Sequence, residues 1–324
     1  MKLRDDFVAV SVPATTANLG PGFDSMGMAL DLWDDVSVHA ITGPTQVVIE
    51  GEGAGEVATG EDNLVVKALR LALDRVGAPQ VGVRMRCVNR IPHGRGLGSS
   101  ASAIVAGLTL ARALIGDPEA LTEADLLDLG TEMEGHPDNV APAVLGGATV
   151  AWVNRGHAGA VRLDPPEGIS PVAFIPDFEL STSLARAAIP DQVSHRDAVH
   201  NVSRVALLVA LLSGASRDHL VAGAQGTPMH EMLMAATQDR LHQEQRRSTM
   251  ETSMEMVDWL RSAGMAAVVS GAGPTVLSLE HVLTQVRIDA KAAGWRVLPL
   301  AVTMTGVRIT RGRIMKDLGT SSHM

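Results

Sequence analysis

Glycine and serine crowd one short stretch of the chain in a way that suits anion binding. Residues 91–103 read IPHGRGLGSSASA, with glycines at positions 94, 96 and 98. Glycine lets the backbone approach a ligand closely and turn its N–H groups inward. We predict that a helix begins at Ser99, where free N–H groups and the positive dipole end favour phosphate. The hydroxyl of Ser100 is an oxygen ligand of the kind that Mg²⁺ prefers.

Three other motifs that bind phosphate or carry a nucleophile do not fit the sequence. The P-loop pattern GxxxxGK[ST] does not occur, and no GxSxG elbow surrounds Ser99 or Ser100. A GxGxxA run at residues 53–58 follows a predicted strand, but the acidic Glu52 and Glu56 would repel a pyrophosphate. The loop before Ser99 remains the candidate phosphate site, and a glycine-rich turn that merely feeds a packed helix is the alternative.

Composition and charge argue against several classes of protein. The 324 residues carry a formal net charge of −9 and no basic run, so a nucleic-acid partner is not expected. Cys87 is the single cysteine, which excludes a disulfide framework and favours a reducing cytoplasm. Neither a signal peptide nor an apolar run long enough for a bilayer is visible, so no membrane partner is expected. With no tyrosine and four phenylalanines, a designed or heavily altered sequence stays possible.

The elements that must position the loop follow from hydrophobic periodicity. Residues 81–87 alternate as a half-buried strand does, and residues 99–115 predict a long helix of small side chains. Thr122 with Asp125 predicts the start of a helix that ends near Glu134. Further strands are predicted at residues 7–13, 35–41, 46–50, 146–153, 172–175, 266–270, 275–279 and 295–302, and further helices at residues 63–77, 197–213, 252–263 and 281–293.

This mixture lacks the regular alternation of a doubly wound sheet and predicts an α+β fold. Prolines and a glycine between residues 165 and 171 mark the predicted domain boundary. Residues 1–165 would form an N-terminal, nucleotide-binding domain that contains the candidate phosphate loop, and residues 166–318 a C-terminal domain. The last six residues, 319–324, read GTSSHM and are interpreted as an expression remnant.

Two further glycine-containing segments give the chain a family resemblance. Residues 12–27 read VPATTANLGPGFDSMG, and residues 269–277 read VSGAGPTVL. With the loop at residues 91–103, they resemble the three motifs of the galactokinase, homoserine kinase and mevalonate kinase superfamily. Segments at residues 134–143, 180–186, 197–204 and 239–246 are typical of its homoserine kinases. The resemblance implies a ribosomal-protein S5 domain 2-like N-terminal domain, a ferredoxin-like C-terminal domain and a homodimer.

The resemblance also implies an activity and its residues. The activity is transfer of the γ-phosphoryl group of ATP to the side-chain hydroxyl of L-homoserine, with Mg²⁺, in threonine biosynthesis. Arg186 and Arg246 would bind the substrate carboxylate, since guanidinium binds carboxylates bidentately. The nucleotide site that the resemblance implies comprises Asn63, Pro92, Gly94, Arg95, Gly96, Leu97, Gly98, Ser99 and Ser100. The implied substrate site comprises Asn18, Asp24, His136, Asn139, Arg186 and Arg246. The implied catalytic residues are Asn18, Asp24, Asn139 and Thr182, and the implied metal ligands are Ser100 and Glu134.

Several alternatives stay open at this point. Glu132 is a rival metal ligand to Glu134, and Arg247 competes with Arg246 for the substrate. Asn139 stands where some relatives carry an aspartate base, so we expect direct attack by the hydroxyl without a strong general base. Another small alcohol as substrate, or a binding protein without activity on this scaffold, is possible. The pair of arginines favours an amino-acid carboxylate.

Overall fold

The computed structural model describes residues 1–214 and 229–312, which form a seven-stranded and a four-stranded sheet with helices packed against them. The mixture confirms the predicted α+β class. The predicted tail at residues 319–324 and the predicted end of the second domain at residue 318 lie outside the described residues. Within those residues, none of the helices combines the length and apolar character needed to cross a membrane.

Strands and helices follow one another irregularly along the chain. The strands are β1 (Phe7–Ala17), β2 (Met26–Ile41), β3 (Gln46–Gly51), β4 (Gly82–Asn89), β5 (Ala148–Asn154), β6 (His157–Leu163), β7 (Val172–Ile175), β8 (Ala267–Val269), β9 (Val276–Ser278), β10 (Arg296–Pro299) and β11 (Arg308–Arg311). The helices are α1 (Leu64–Arg75), α2 (Ser99–Ile115), α3 (Glu123–Glu134), α4 (Val140–Leu145), α5 (Thr182–Ala187), α6 (His195–Leu212), α7 (Met229–Ala236), α8 (Glu251–Ser262) and α9 (Thr284–Ala292), with a 3₁₀ helix at Glu244–Thr249.

The larger sheet carries the glycine-rich loop. Its strands lie in the order β11-β1-β2-β4-β3, and the β5–β6 hairpin pairs with β2. Only β3 and β4 among these pairs run parallel, with α1 as the crossover between them. Helix α2 packs on α1 and on β1, and buried side chains such as Leu69, Leu73, Ile104 and Leu108 join them in one core. The loop between β4 and α2 is therefore anchored at both ends in this core.

The smaller sheet has the order β10-β7-β9-β8 and is antiparallel throughout. Together with α8 and α9, its strands follow the order β-α-β-β-α-β, which matches the ferredoxin-like arrangement implied by the resemblance. Strand β11 then returns to the larger sheet and pairs with β1. The likeness of the first half to ribosomal protein S5 and the boundary between residues 165 and 166 stay predictions.

Most predicted elements are present, and the differences have local causes. The predicted capping of α3 is a full capping box between Thr122 and Asp125. The last predicted strand is shorter, because the chain leaves the smaller sheet after Pro299 and Val302 bridges to Leu30 of β2. The sequence did not predict β6 and β11, or the short helices α4, α5 and α7. Half-exposed or very short segments carry too little periodicity to be recognised.

Candidate active site

The three glycine-containing segments meet around a cavity of about 130 Å³, here called the polar cavity. The first segment runs from the second half of β1 to the start of β2, the second leads into α2, and the third connects β8 to β9. Segments far apart in sequence thus share one wall. The residues that line it are Ala17, Asn18, Asp24, Gly94, Gly96, Gly98, Ser99, Ser100, Glu134, His136, Asp138, Asn139, Leu180, Thr182, Arg186, Arg246, Gly271, Ala272 and Gly273.

Glycine is required at positions 96 and 98 of the loop by both conformation and space. Their φ angles are 75° and 69°, in the left-handed region that favours glycine. A Cβ on Gly96 would overlap the carbonyl oxygen of Ser270, and a Cβ on Gly98 would overlap the hydroxyl of Thr15. The Ser270 hydroxyl also donates to the Gly96 carbonyl at 2.6 Å. The second motif is therefore held directly against the third.

Helix α2 offers its N-terminus to the polar cavity. No side chain caps its first N–H groups, because Gly98 is the N-cap residue, and its first turn contains no acidic residue. Such an end attracts phosphate through free N–H groups and the helix dipole. The predicted start of the helix at Ser99 is confirmed.

Ser100 and Glu134 come together at the ends of two helices. The Ser100 hydroxyl donates to the Glu134 carboxylate at 2.8 Å, and burial raises the pKa of Glu134. The rival Glu132 forms a surface ion pair with Arg75 instead, at 3.2 Å. The fold therefore brings Glu134, and not Glu132, to the start of α2.

Four residues predicted for the nucleotide do not line the polar cavity: Asn63, which lies in a second cavity described below, Pro92, Arg95 and Leu97. Pro92 and Leu97 are buried beneath the loop and shape it. The guanidinium of Arg95 donates to the carbonyls of Pro176 and Phe178, at 2.7 and 3.1 Å. Its side chain thus ties the loop to the segment that leads into α5. Ser99 and Ser100, the first two residues of α2, do line the polar cavity.

Asn18 and Asp24 lie in a turn between β1 and β2 with an unusual backbone. Asn18, Leu19 and Asp24 have φ angles of 68°, 48° and 54°, a region that residues other than glycine rarely adopt. The side-chain Oδ1 of Asn18 accepts the Asp24 N–H at 2.9 Å, and its Nδ2 donates to the Gly271 carbonyl at 2.9 Å. Asn18 therefore fixes the position of Asp24 and joins the first motif to the third. Strained conformations of this kind cluster at functional sites.

Arg186 and Asp24 bind each other across the polar cavity. Both η nitrogens of Arg186 donate to the two carboxylate oxygens of Asp24, at 2.9 and 2.6 Å. The hydrogen bond from Asp24 raises the pKa of Arg186. The sequence predicted that each residue would contact a substrate, and the structure adds that they pair with one another. The cavity thus presents one positive and one negative group side by side.

Arg246 supplies a second cation from the 3₁₀ helix. It is only 2% exposed and donates from Nη1 to the Gly271 carbonyl at 3.1 Å. Burial, followed by the positive charge of Arg186, lowers the pKa of Arg246 to about 10, so it is still protonated at neutral pH. Its neighbour Arg247 points outward and pairs with Glu244 at 2.7 Å. The cavity therefore receives Arg246 and not Arg247.

Phe23 contributes to the site, although the sequence did not predict it as a site residue. The guanidinium carbons of Arg186 and Arg246 lie 5.4 and 5.3 Å from the centre of its ring. The ring also stacks on His242, with centroids 4.9 Å apart. Cations near an aromatic ring are attracted by its quadrupole. An aromatic residue next to Asp24, in a chain with four phenylalanines and no tyrosine, was the available signal.

The segment between α3 and α4 closes the cavity with three polar side chains. His136 Nδ1 lies 2.5 Å from Asp138, a buried carboxylate that the sequence did not predict as a site residue. Burial lowers the pKa of His136, but Asp138 outweighs it, so the pKa is raised overall. Asn139 accepts a hydrogen bond from the Thr15 hydroxyl at 2.8 Å. Thr182, the first residue of α5, lies on the cavity wall as predicted.

A second cavity, of about 230 Å³, adjoins the polar cavity along Ser99 and Ser100 and is here called the apolar cavity. Asn63 lies in its wall, where its amide caps α1 by accepting the Val65 N–H and donates to the Ala58 carbonyl. A slot lined largely by apolar side chains beside a phosphate loop suits a nucleoside. Its other lining residues are Asp34, Val36, Ile49, Val57, Leu64, Val65, Cys87, Asn89, His93, Ser102, Ala103 and Ala106.

Comparison with known proteins places the chain in a family. Residues 63–147 match the GHMP kinases N terminal domain, and residues 221–280 match the GHMP kinases C terminal domain. The homoserine kinase of Streptomyces coelicolor is 45% identical over 304 residues, covering 93% of this chain and 94% of that protein. The chain belongs to the homoserine kinase family. The homoserine kinase of Corynebacterium efficiens is similar at 45% identity over 91% of this chain and 93% of that protein.

Solved structures agree with this family. The crystal structure of homoserine kinase from Cytophaga hutchinsonii is similar with a TM-score of 0.80 at 25% identity, covering 94% of this chain and 98% of that one. A putative homoserine kinase from Listeria monocytogenes has a TM-score of 0.72 at 30% identity, covering 94% and 99%. The family predicted from the three motifs is confirmed.

Proposed function

We propose that this protein transfers the γ-phosphoryl group of ATP to the side-chain hydroxyl of L-homoserine, giving O-phospho-L-homoserine. The observation that carries the proposal is the opposed pair of Asp24 and Arg186 in front of the phosphate loop, with the buried Arg246 beside it. A zwitterionic amino acid presents one charge of each sign and matches this arrangement. Membership of the homoserine kinase family supports L-homoserine as that amino acid.

Binding of such a substrate would exchange partners within the polar cavity. The substrate carboxylate would take a place on Arg186 and Arg246, and Asp24 would receive the ammonium group. His136, whose raised pKa favours its cationic form, would add positive charge next to the incoming anions. Asn139 would orient the reacting hydroxyl.

Positioning and charge neutralisation would carry most of the rate enhancement. Phosphoryl transfer passes through a loose transition state, in which little covalent chemistry is required from the protein. The amide of Asn139 can orient the hydroxyl but cannot accept its proton, so the proposed mechanism uses no strong general base. The N-terminus of α2 would hold the phosphates in line with the hydroxyl, and Thr182 would close the other side.

Mg²⁺ is part of the proposal, and the residues present fit it. The Ser100 hydroxyl and the Glu134 carboxylate lie 2.8 Å apart, and Mg²⁺ usually takes one or two protein oxygens beside phosphate and water. The ion would neutralise charge on the phosphates. No group of three or more His, Cys, Asp or Glu side chains within residues 1–214 and 229–312 could hold a metal. The nucleotide would therefore complete the coordination.

A role in threonine biosynthesis, a cytoplasmic location and a homodimer belong to the same proposal. They rest on the family resemblance. The proposed partners are ATP and L-homoserine, and neither nucleic acid nor a membrane is among them.

A coupled assay of ADP release tests the proposed function. We expect L-homoserine with ATP and Mg²⁺ to give turnover at least about 100-fold above that with mevalonate, galactose or glycerol, since these lack the zwitterion that the charge pair would select. Higher turnover with one of the other alcohols would support a different kinase of the superfamily. ATP binding without turnover on any alcohol would support a protein that only binds.

A further inference from the structure

The apolar cavity has one acidic residue among its lining residues, Asp34 of β2. Its neighbours in the wall include Val36, Ile49 and Leu64. Asp34 is 7% exposed, and burial raises its pKa despite the hydrogen bonds that it receives. A buried carboxylate destabilises a fold unless its oxygens find partners. The partners of Asp34 therefore decide what this side chain can do.

Only one oxygen of Asp34 is used by the described part of the chain. Oδ1 accepts the backbone N–H groups of Arg90 and Ile91, at 2.6 and 3.0 Å, and these hold the start of the glycine-rich loop. The Arg90 side chain turns to the neighbouring carboxylate of Asp35 instead, at 2.9 Å. Among residues 1–214 and 229–312, Oδ2 accepts no hydrogen bond, although the charge of His93, which lines the same cavity, acts favourably on the carboxylate. Within these residues, Oδ2 thus stays available as an acceptor for a ligand.

Asn63 offers a complementary group in the same wall. Its Nδ2 carries two hydrogens, and the structure uses one of them on the Ala58 carbonyl. The apolar cavity thus presents an acceptor from Asp34 and a donor from Asn63. Adenine carries an exocyclic amino donor next to ring-nitrogen acceptors, whereas guanine and hypoxanthine carry a carbonyl oxygen at that position. The pattern of the cavity therefore matches adenine.

The N-terminus of α2 sets the direction of the nucleotide. Its free N–H groups suit the phosphates, which therefore belong in the polar cavity, and the base belongs in the adjoining apolar cavity. Backbone N–H groups at a helix start bind any nucleoside triphosphate and do not distinguish bases. Selection of the base must come from the apolar cavity.

We propose that Asp34 determines adenine specificity, by accepting a hydrogen bond from the exocyclic amino group of ATP through Oδ2. The inference rests on the proposed function in taking a nucleoside triphosphate as phosphoryl donor. It concerns recognition of the base and is independent of the alcohol that is phosphorylated.

The test is Asp34→Asn, because the backbone dictates how the amide must lie. The N–H groups of Arg90 and Ile91 keep the amide oxygen, so the NH₂ group takes the place of Oδ2 and presents a donor. Kd is measured calorimetrically, without homoserine, for ATP, for inosine triphosphate and for purine riboside triphosphate, which lacks the amino group. We expect ATP to bind about 10-fold more weakly and inosine triphosphate to bind more tightly, so that the ratio of their Kd values shifts by about 100-fold. Purine riboside triphosphate should change little.

Asp35→Asn is the matched control, since this adjacent carboxylate binds Ser11 and Arg90 and does not line the apolar cavity. It should leave the ratio unchanged, and the Tm of each variant reports its folding. An unchanged ratio in folded Asp34→Asn overturns the proposal. So does an effect that is equal for all three nucleotides and lost with 3′-deoxy-ATP, which would assign Asp34 to the ribose.

A comparison on the unaltered protein keeps the inference testable if Asp34→Asn does not fold. Purine riboside triphosphate should then bind about 10-fold more weakly than ATP, for loss of one charge-assisted hydrogen bond, and equal affinities would overturn the proposal. Failure of the homoserine assay leaves these binding results untouched, and the reverse also holds. The two proposals can therefore fail separately.

Discussion

The polar cavity and the apolar cavity meet at the start of α2, but their charged side chains are in different states. In the polar cavity, Arg186 binds Asp24 and Ser100 binds Glu134. In the apolar cavity, Asp34 keeps one oxygen without a partner within the described ranges. Paired charges can open and exchange partners with a small charged substrate. A single available acceptor in apolar surroundings can instead select a base that fits the cavity and carries a hydrogen-bond donor at the matching position.

This difference indicates how substitutions in the two cavities should behave. Removing one member of a pair in the polar cavity frees the other, so substrate binding and the local charge change together. Asp34 can be altered with less effect on the substrate, because its partners are backbone groups. The largest effects are expected where the two cavities share a wall, and the smallest where a residue acts through its neighbours.

Gly96→Val should disrupt both cavities at once. The side chain would overlap the Ser270 carbonyl in a left-handed conformation, so the loop must leave the third motif. We expect ATP affinity to fall by about 100-fold or more, from clash added to backbone strain. Calorimetric titration with ATP measures this, with Tm as the check on folding. Gly60→Val is the control, because a Cβ there meets open space. Normal ATP affinity in folded Gly96→Val would refute the phosphate-loop assignment.

Glu134→Gln should act on the chemical step next to the shared wall, since Glu134 accepts a hydrogen bond from Ser100. The amide keeps the shape but loses the charge, and a catalytic metal is worth several kcal/mol, so kcat should fall by about 100-fold or more. Steady-state rates over a Mg²⁺ titration give kcat and the metal dependence. Glu132→Gln, whose parent residue pairs with Arg75 on the surface, should behave as the unaltered protein. The opposite result would move the metal ligand to Glu132.

Arg186→Lys should affect the polar cavity alone. Lysine keeps the charge but cannot form the bidentate pair seen with Asp24, so KM for L-homoserine should rise about 10- to 100-fold. The affinity for ATP without homoserine should stay unchanged. Arg247→Lys controls for a charge outside the cavity. An equal loss of ATP affinity in Arg186→Lys would remove the separation between the two cavities.

Phe23→Leu should give the smallest effect, because the ring acts on the substrate through two arginines. A cation–π contact at a partly exposed site is worth about 0.5–1 kcal/mol, so KM for L-homoserine should rise about 5-fold with kcat nearly constant. Phe23→Tyr should restore KM. Phe7→Leu removes a ring that also faces a cation, Arg311, and lines neither cavity, so it should leave KM unchanged. If Phe23→Tyr did not restore KM, or if Phe7→Leu raised KM equally, the assignment of the Phe23 ring to substrate binding would be wrong.

Much of the site could be predicted because its signals are local. The glycines at 94, 96 and 98 with Ser99 predict a phosphate loop, and the capping box at Thr122 predicts the helix that ends at Glu134. These features depend on residues a few positions apart, where backbone geometry follows directly from residue type. The choice of Glu134 over Glu132, and of Arg246 over Arg247, was left open. Neighbours in sequence have similar composition, and only packing decides which one faces inward.

The sequence by itself determined the family, the fold class and many of the residues that meet in the polar cavity, because each motif is a short segment whose chemistry is independent of the rest. The tertiary structure alone decided how those residues pair. Asp24 and Arg186 are 162 residues apart and lie on different sides of the cavity, and no periodicity relates them. It also placed the Arg95 guanidinium on the carbonyls of Pro176 and Phe178, and it left one oxygen of Asp34 without a partner among the described residues. Long side chains and carboxylates take whichever partner the packed elements bring within hydrogen-bond distance, and that distance is set by the fold as a whole.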